Sequence, residues 1–197
     1  MKREEPEGEK SSKDLIIGIL LAMTAVAGAI LILSAPAEEL LGESAYRFRS
    51  AFHGLFAGIF MITATVGVYQ AFRLWVGTAF NVREMEVGSV LNAAVCFLTI
   101  LFGNWIYIPY RAPGGPRAHF LQTSAGVHEV FFEFKEFTAL FTLPLAVAAA
   151  FLICRYAGRL AESERLREAA ALLLILTFFY FAVPFGLGAA VTKLMSV

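Results

Sequence analysis

Along the chain, five nearly unbroken apolar stretches alternate with short polar segments, at about 14–34, 50–72, 87–110, 130–153 and 169–192. A helix needs about 20 predominantly apolar residues to cross the ~30 Å hydrocarbon core, and each stretch reaches that length. None shows the alternating ten-residue pattern of a membrane barrel strand, so helices are the form that satisfies the backbone within lipid. The pattern predicts an all-α integral membrane protein, a five-helix transmembrane bundle forming a single domain over 14–194. The preceding polar segment 1–13, mixed in charge and containing Pro6 and Gly8, is expected to be a disordered cytoplasmic tail.

The first apolar stretch also invites comparison with a secretory signal, because Ala35-Pro36-Ala37 imitates a small-residue cleavage site. Its apolar run exceeds the usual 7–15 residues of a signal core, and the tail before it carries Glu4, Glu5, Glu7 and Glu9, so a retained span is expected. Orientation follows from the basic residues. Lys2, Arg3, Lys10, Lys13, Arg73, Arg83, Arg155, Arg159, Arg165 and Arg167 fall on the side of the N-terminus. Arg47, Arg49, Arg111, Arg117, Lys135 and Lys193 fall on the other, a ten-to-six division. The positive-inside rule then places the N-terminus in and the C-terminus out, with the loop between spans three and four outside and structured.

Composition narrows the picture further. With 58% hydrophobic and only 16% charged residues, almost the whole chain is membrane domain, against roughly a quarter charged in a soluble domain. Acidic and basic residues balance, 16 against 16, and nothing suggests a nucleic-acid partner. The expected partners are the lipid bilayer, other membrane or redox subunits and a second copy of the chain. Cys96 and Cys154 lie in separate apolar runs without metal-binding spacing and read as small core residues. Gly54-x-x-x-Gly58 and Gly186-x-Gly188 offer smooth packing surfaces, and Pro144 and Pro184 are expected to kink spans four and five.

The chemistry gathers at one end of the bundle. His53 lies one turn inside span two, Tyr107, Tyr110 and Arg111 close span three, and His119 and His128 follow in the loop. Glu129, Glu133, Lys135 and Glu136 open span four, the three glutamates at i, i+4, i+7 on one helical face. Two imidazoles from different helices are the usual ligands of b-type haem in membrane anchors. His53, with His128 or His119 as its metal-binding counterpart, is the candidate pair, Gly54 and Gly58 opening space and Phe52, Phe56 and Phe60 flanking the ring. The bland alternative is an interfacial His53 bonded to a loop carbonyl. The carboxylates fit a proton or ion relay, a quinone-head-group pocket with Trp105, Tyr107 and Arg111, or an interfacial salt-bridge cluster that pins the loop. The segment from Pro109 to Pro116 is too rich in proline and glycine for a helix and is expected to fold over the bundle mouth as a lid.

These residues also carry a resemblance. Gly103-x-x-x-Tyr107-x-Pro109-x-Arg111, followed by Phe132-Glu-Phe-Lys-Glu136, resembles the signature of a family of small prokaryotic polytopic membrane proteins with a Y-P-x-[YF]-R segment and an F-E-x-K-E segment. It covers about 35 residues, with Ile108 intervening between Tyr107 and Pro109 and Phe137 where relatives often carry histidine. The resemblance implies a prokaryotic inner-membrane location and a site at these positions, and no particular activity. The leading expectation is an electron-transfer subunit binding haem b or quinone near the outer face through His53, His128, Tyr107 and Arg111. A cofactor-free accessory subunit and an ion- or proton-conducting subunit are the alternatives. No serine-nucleophile, zinc-protease or nucleotide motif points to hydrolytic or phosphoryl-transfer chemistry.

Overall fold

The computed structural model describes residues 7–41 and 44–195, and among these the chain is helical with no strand. Five helices are long and apolar enough to cross a membrane, which makes this a multi-pass membrane protein. They are α1 (Glu7–Leu41), α2 (Ala45–Val76), α3 (Val82–Arg111), α5 (Glu133–Arg155) and α7 (Glu164–Met195). Short helices α4 (Pro116–Thr123) and α6 (Ala157–Leu160) lie in the connections, and a π-helical segment, Val127–Phe132, leads into α5.

The helices overrun their apolar stretches. At 1.5 Å per residue, a helix of 30 residues such as α3 is about 45 Å long, some 15 Å more than the hydrocarbon core. Once a long apolar helix has nucleated, each further residue adds a hydrogen bond at little cost, so helix continues into polar flanks. Thus α1 begins at Glu7, and residues 7–13 of the segment expected to be unstructured are helical; residues 1–6 lie outside the described part. Where helices do stop, the caps are local. Ser44 accepts from the Arg47 amide at 3.3 Å and Asn81 from the Arg83 amide at 2.9 Å. Gly77 ends α2 at φ +70°, a left-handed conformation that glycine adopts without strain.

Four prolines, Pro36, Pro109, Pro144 and Pro184, lie inside the long helices without ending them, and two have visible compensation. Proline lacks an amide hydrogen, so the carbonyl four residues earlier loses its partner. For Pro184 that carbonyl belongs to Tyr180, and Thr142 of α5 donates its hydroxyl to it at 3.1 Å. For Pro109 it belongs to Trp105, and Arg49 of α2 donates to it at 3.4 Å with its guanidinium 4.6 Å from the Trp105 ring centre. The expectation that the chain is non-helical from Pro109 onward is therefore corrected. Helix runs to Arg111, and only 112–115 turn before α4. Gly115 is required in that turn, because a Cβ there would lie 2.6 Å from the Pro109 oxygen and 2.8 Å from that of Tyr110.

Helices α2, α3, α5 and α7 close a ring in which each packs against two others, in the order α2–α3–α5–α7. Helix α1 lies outside the ring against α3; it is the least buried of the five spans and α3 the most. Ala27 of α1 meets Phe56, Leu98 and Phe102 there. Inside the ring, one end is filled by Leu74, Met85, Ile153, Leu160 and Leu174, and the middle by Phe60, Val95, Cys96 and Phe181. At the other end Tyr110, Phe120 and Val191 form a small cluster, so α4 is pinned over the bundle by Phe120. Between the middle and that end the ring is hollow.

Candidate functional site

The hollow is a cavity of about 900 Å³ walled by α2, α3, α5 and α7. Its wall is mainly apolar and aromatic, with Phe60, Ile100, Tyr110, Phe132, Leu140 and Phe185 among its residues. Into this wall are set His53, Tyr107, Lys135 and Glu136, with Glu133 nearer the surface. A concave, largely apolar pocket with a few convergent polar groups is the usual form of a small-molecule site.

His53 reaches the cavity through a gap in the neighbouring helix. Its Nδ1 lies 3.0 Å from the Thr99 carbonyl oxygen, and a Cβ on Gly103 would sit 3.1 Å from its Cε1 and 3.3 Å from Nδ1. The imidazole thus rests on α3 where Gly103 has no side chain. A carbonyl oxygen only accepts, so Nδ1 carries the hydrogen and, in the neutral ring, Nε2 keeps the lone pair. Among the described residues Nε2 makes no hydrogen bond. The space was expected from Gly54 and Gly58, but a Cβ on either would meet nothing within 4 Å, so neither makes room for the ring. Of the three phenylalanines expected to flank the ring, Phe60 lines the cavity. Phe52 and Phe56 pack with Phe102 in the cluster shared with α1.

Lys135 enters from α5 in the same manner. A Cβ on Gly188 of α7 would lie 3.3 Å from its Cε and 3.4 Å from Nζ. Its ammonium stands 5.3 Å from the Phe132 ring centre, a cation–π contact. The next residue, Glu136, points to α3, where the Tyr107 hydroxyl donates to its Oε2. Arg111 donates to the same Tyr107 oxygen at 3.1 Å and lies over the Tyr107 ring at 4.5 Å. Glu133, half exposed, lies 4.0 Å from Arg111 and 3.7 Å from Nε2 of His128.

His128 belongs to a separate arrangement. It is buried in the π-helical segment, does not line the cavity, and uses both ring nitrogens. Arg117 donates to Nε2 at 3.1 Å, and Nδ1 lies 3.0 Å from the Tyr110 hydroxyl. A guanidinium N–H only donates, so Nε2 accepts and Nδ1 gives its hydrogen to Tyr110. Tyr110 stacks on Phe132 at 4.4 Å, which joins this buried group to the cavity wall. His119 is exposed on α4, beside Phe120, and Glu129 is exposed on the π-helical segment. The structure thus brings His53, Tyr107, Lys135 and Glu136 to one cavity, places Arg111 and Glu133 at its edge, and leaves His119, His128 and Glu129 off its wall. Among the described residues no three His, Cys, Asp or Glu side chains gather as a metal site.

The sequence does not point to Ser50, Thr99 and Asn104 on the cavity wall, and Gly103 and Gly188 enter it only through the resemblance and as a packing glycine, not as the positions that make room for His53 and Lys135. The available signal was the run Gly103-Asn104 inside an apolar span, one turn before Tyr107. Compared with models of known protein families, with curated proteins and with solved structures, the chain matches none.

Proposed function

We propose that the chain is a membrane electron-transfer subunit whose cavity holds the head group of a lipid-soluble quinone near the outer face. One observation carries the reading: His53 Nε2 and the Lys135 ammonium line the same 900 Å³ apolar and aromatic cavity. A quinone ring needs flat apolar walls and polar groups for its two oxygens. A donor at Lys135 and an acceptor at His53 would serve a carbonyl and a hydroxyl oxygen, and Glu136, held by Tyr107 in the same wall, would be the group to exchange a proton with the head group. The protein supplies position and surroundings, and the quinone would supply the redox chemistry. The ten-to-six division of basic residues supports the placement of this end outside.

Haem b is the second reading, favoured by the His53 ring itself. An imidazole whose Nδ1 is held by a backbone carbonyl and whose Nε2 faces a cavity has the arrangement of a metal-bound histidine. His53 would supply one imidazole ligand to the iron, and no second imidazole lines the cavity.

Purified protein in lipid nanodiscs should retain or bind a short-chain quinone with micromolar affinity, read by extraction and by quenching of tryptophan fluorescence in a variant lacking Trp75. His53→Ala and Lys135→Met should each weaken that binding at least tenfold. A Soret band lost in His53→Ala selects haem instead. A colourless protein that binds no quinone removes both readings and favours the accessory subunit.

A further inference from the structure

Lys135 and Glu136 are adjacent in sequence, opposite in charge and set in the wall of the same cavity, yet they do not form an ion pair with each other. The carboxylate of Glu136 is taken by the Tyr107 hydroxyl, and that of Glu133 lies near Arg111 and His128. Lys135 Nζ makes no hydrogen bond or ion pair with a described residue; the Phe132 ring and Gly188 are beside it, and Glu136 and His53 lie within electrostatic reach. An ammonium at membrane depth is costly without an anion or hydrogen-bond acceptor, and such residues face a partner or a functional cavity. Here Gly188 gives the Lys135 chain room against α7, so the charge is held at the cavity wall.

We infer that Lys135 is the anchor for an oxyanion, and that the cavity prefers a ligand whose head group carries an ionised oxygen over the same head group without one. For a quinone-type ring this is a phenolate or enolate oxygen, whose proton has gone to bulk water before binding. This rests on the quinone reading for the ring, while the anion preference rests on Lys135 alone. The carboxylate of a fatty acid offers the same oxyanion chemistry from a different source. The Glu136 carboxylate is directed at the Tyr107 hydroxyl and that of Glu133 lies near Arg111, which leaves Lys135 Nζ free to face the cavity. Glu136 still acts electrostatically on Lys135, so the anchor must outweigh that charge for the anion to be preferred.

The test uses two probes of nearly equal shape. One is a 2-hydroxy-3-alkyl-1,4-naphthoquinone, ionised at neutral pH, and the other is its 2-methoxy ether, which cannot ionise. Binding to the full chain in nanodiscs is measured by isothermal titration calorimetry, with oleate as a third ligand. The hydroxy compound should bind at least tenfold more tightly than the ether. That ratio should fall to threefold or less in Lys135→Met and persist in Lys135→Arg, which also shows that the substituted helix folds. Equal affinity for the two probes, or an undiminished ratio in Lys135→Met, overturns the inference and leaves the quinone reading standing. Lys135-dependent binding of oleate with neither naphthoquinone bound keeps the oxyanion anchor and removes the quinone. No binding of any of the three removes both.

Discussion

Replacing Thr142 by valine removes one hydroxyl at nearly constant volume and tests whether α5 supports the proline of α7. The Thr142 hydroxyl donates at 3.1 Å to the Tyr180 carbonyl, which Pro184 cannot address from within the helix. Thr142 is almost wholly buried, at 1% exposure, so water does not replace the lost donor. An unsatisfied buried carbonyl costs about 1–3 kcal/mol in soluble proteins. Interhelical hydrogen bonds in membranes average about 0.6 and reach about 1.7 kcal/mol, because the unfolded state in the membrane also finds partners. The expected loss is therefore about 1 kcal/mol, read as a shifted midpoint in reversible unfolding with dodecyl sulfate in mixed micelles. Pro184→Ala restores an amide hydrogen for Tyr180, so in that background Thr142→Val should cost a few tenths of a kcal/mol at most. Thr177 provides the control. It is equally buried, but its hydroxyl donates at 2.8 Å to Leu173 of its own helix, and Thr177→Val should change stability little. Equal costs for Thr142→Val with and without Pro184 would refute the compensation.

Gly103→Ala should displace the His53 imidazole, since its methyl would sit 3.1 Å from Cε1, and should weaken quinone binding about as much as His53→Ala. Alanine favours helix over glycine by about 1 kcal/mol, so the melting temperature should hold while binding falls; a parallel loss of both refutes the packing argument. Glu136→Gln, which alters the carboxylate bonded to Tyr107, should lower the detergent melting temperature more than Glu133→Gln, and both more than Glu39→Gln on an exposed part of α1. Equal, negligible shifts would show that the cluster is solvated. In a variant lacking Cys96 and Cys154, a cysteine at Ser124 should label with an impermeant thiol reagent in intact cells and one at Ser163 should not; the reverse pattern inverts the orientation.

Much of the architecture was legible because burial in lipid demands long apolar runs, and the five runs are unambiguous. Their ends were less legible, since helix continues into polar flanks that hydropathy alone marks as loop, as at Glu7 and Arg111. Continuation through Pro109 could not be read locally, because the residue that takes up the freed Trp105 carbonyl is Arg49, 56 positions earlier. The common end of His53, Tyr107, Arg111 and the glutamates followed from counting spans. His53, the leading candidate for its place inside an apolar span, does line the cavity. That its expected counterpart His128 does not could not be read, because His128 is occupied by Tyr110 and Arg117, 18 and 11 residues away, from the end of α3 and from α4.

The glycines show why local reading misplaces a site of this kind. Gly54 beside His53 suggests space for the imidazole, yet a side chain projects away from its own helix axis, and the room it needs lies on the helix it faces. Apart from Arg167 at the α2 cap Gly77, three polar side chains lie over a glycine inside a neighbouring helix: His53 over Gly103, Lys135 over Gly188 and Gln70 over Gly88, where a Cβ would lie 2.6 Å from Nε2. Glycine backing is therefore a packing condition for a polar group close to another backbone, and by itself it marks no function. What separates the three is whether the polar atoms find partners within the protein. Gln70 donates to the Glu84 carbonyl at 3.2 Å and joins the end of α2 to the start of α3. His53 uses one nitrogen on Thr99 and keeps the other for the cavity. Lys135 has the Phe132 ring and no hydrogen-bond acceptor among the described residues. That gradient, from Gln70 to half-used His53 to Lys135, is the ground on which the proposed ligand site in the cavity between α2, α3, α5 and α7 rests.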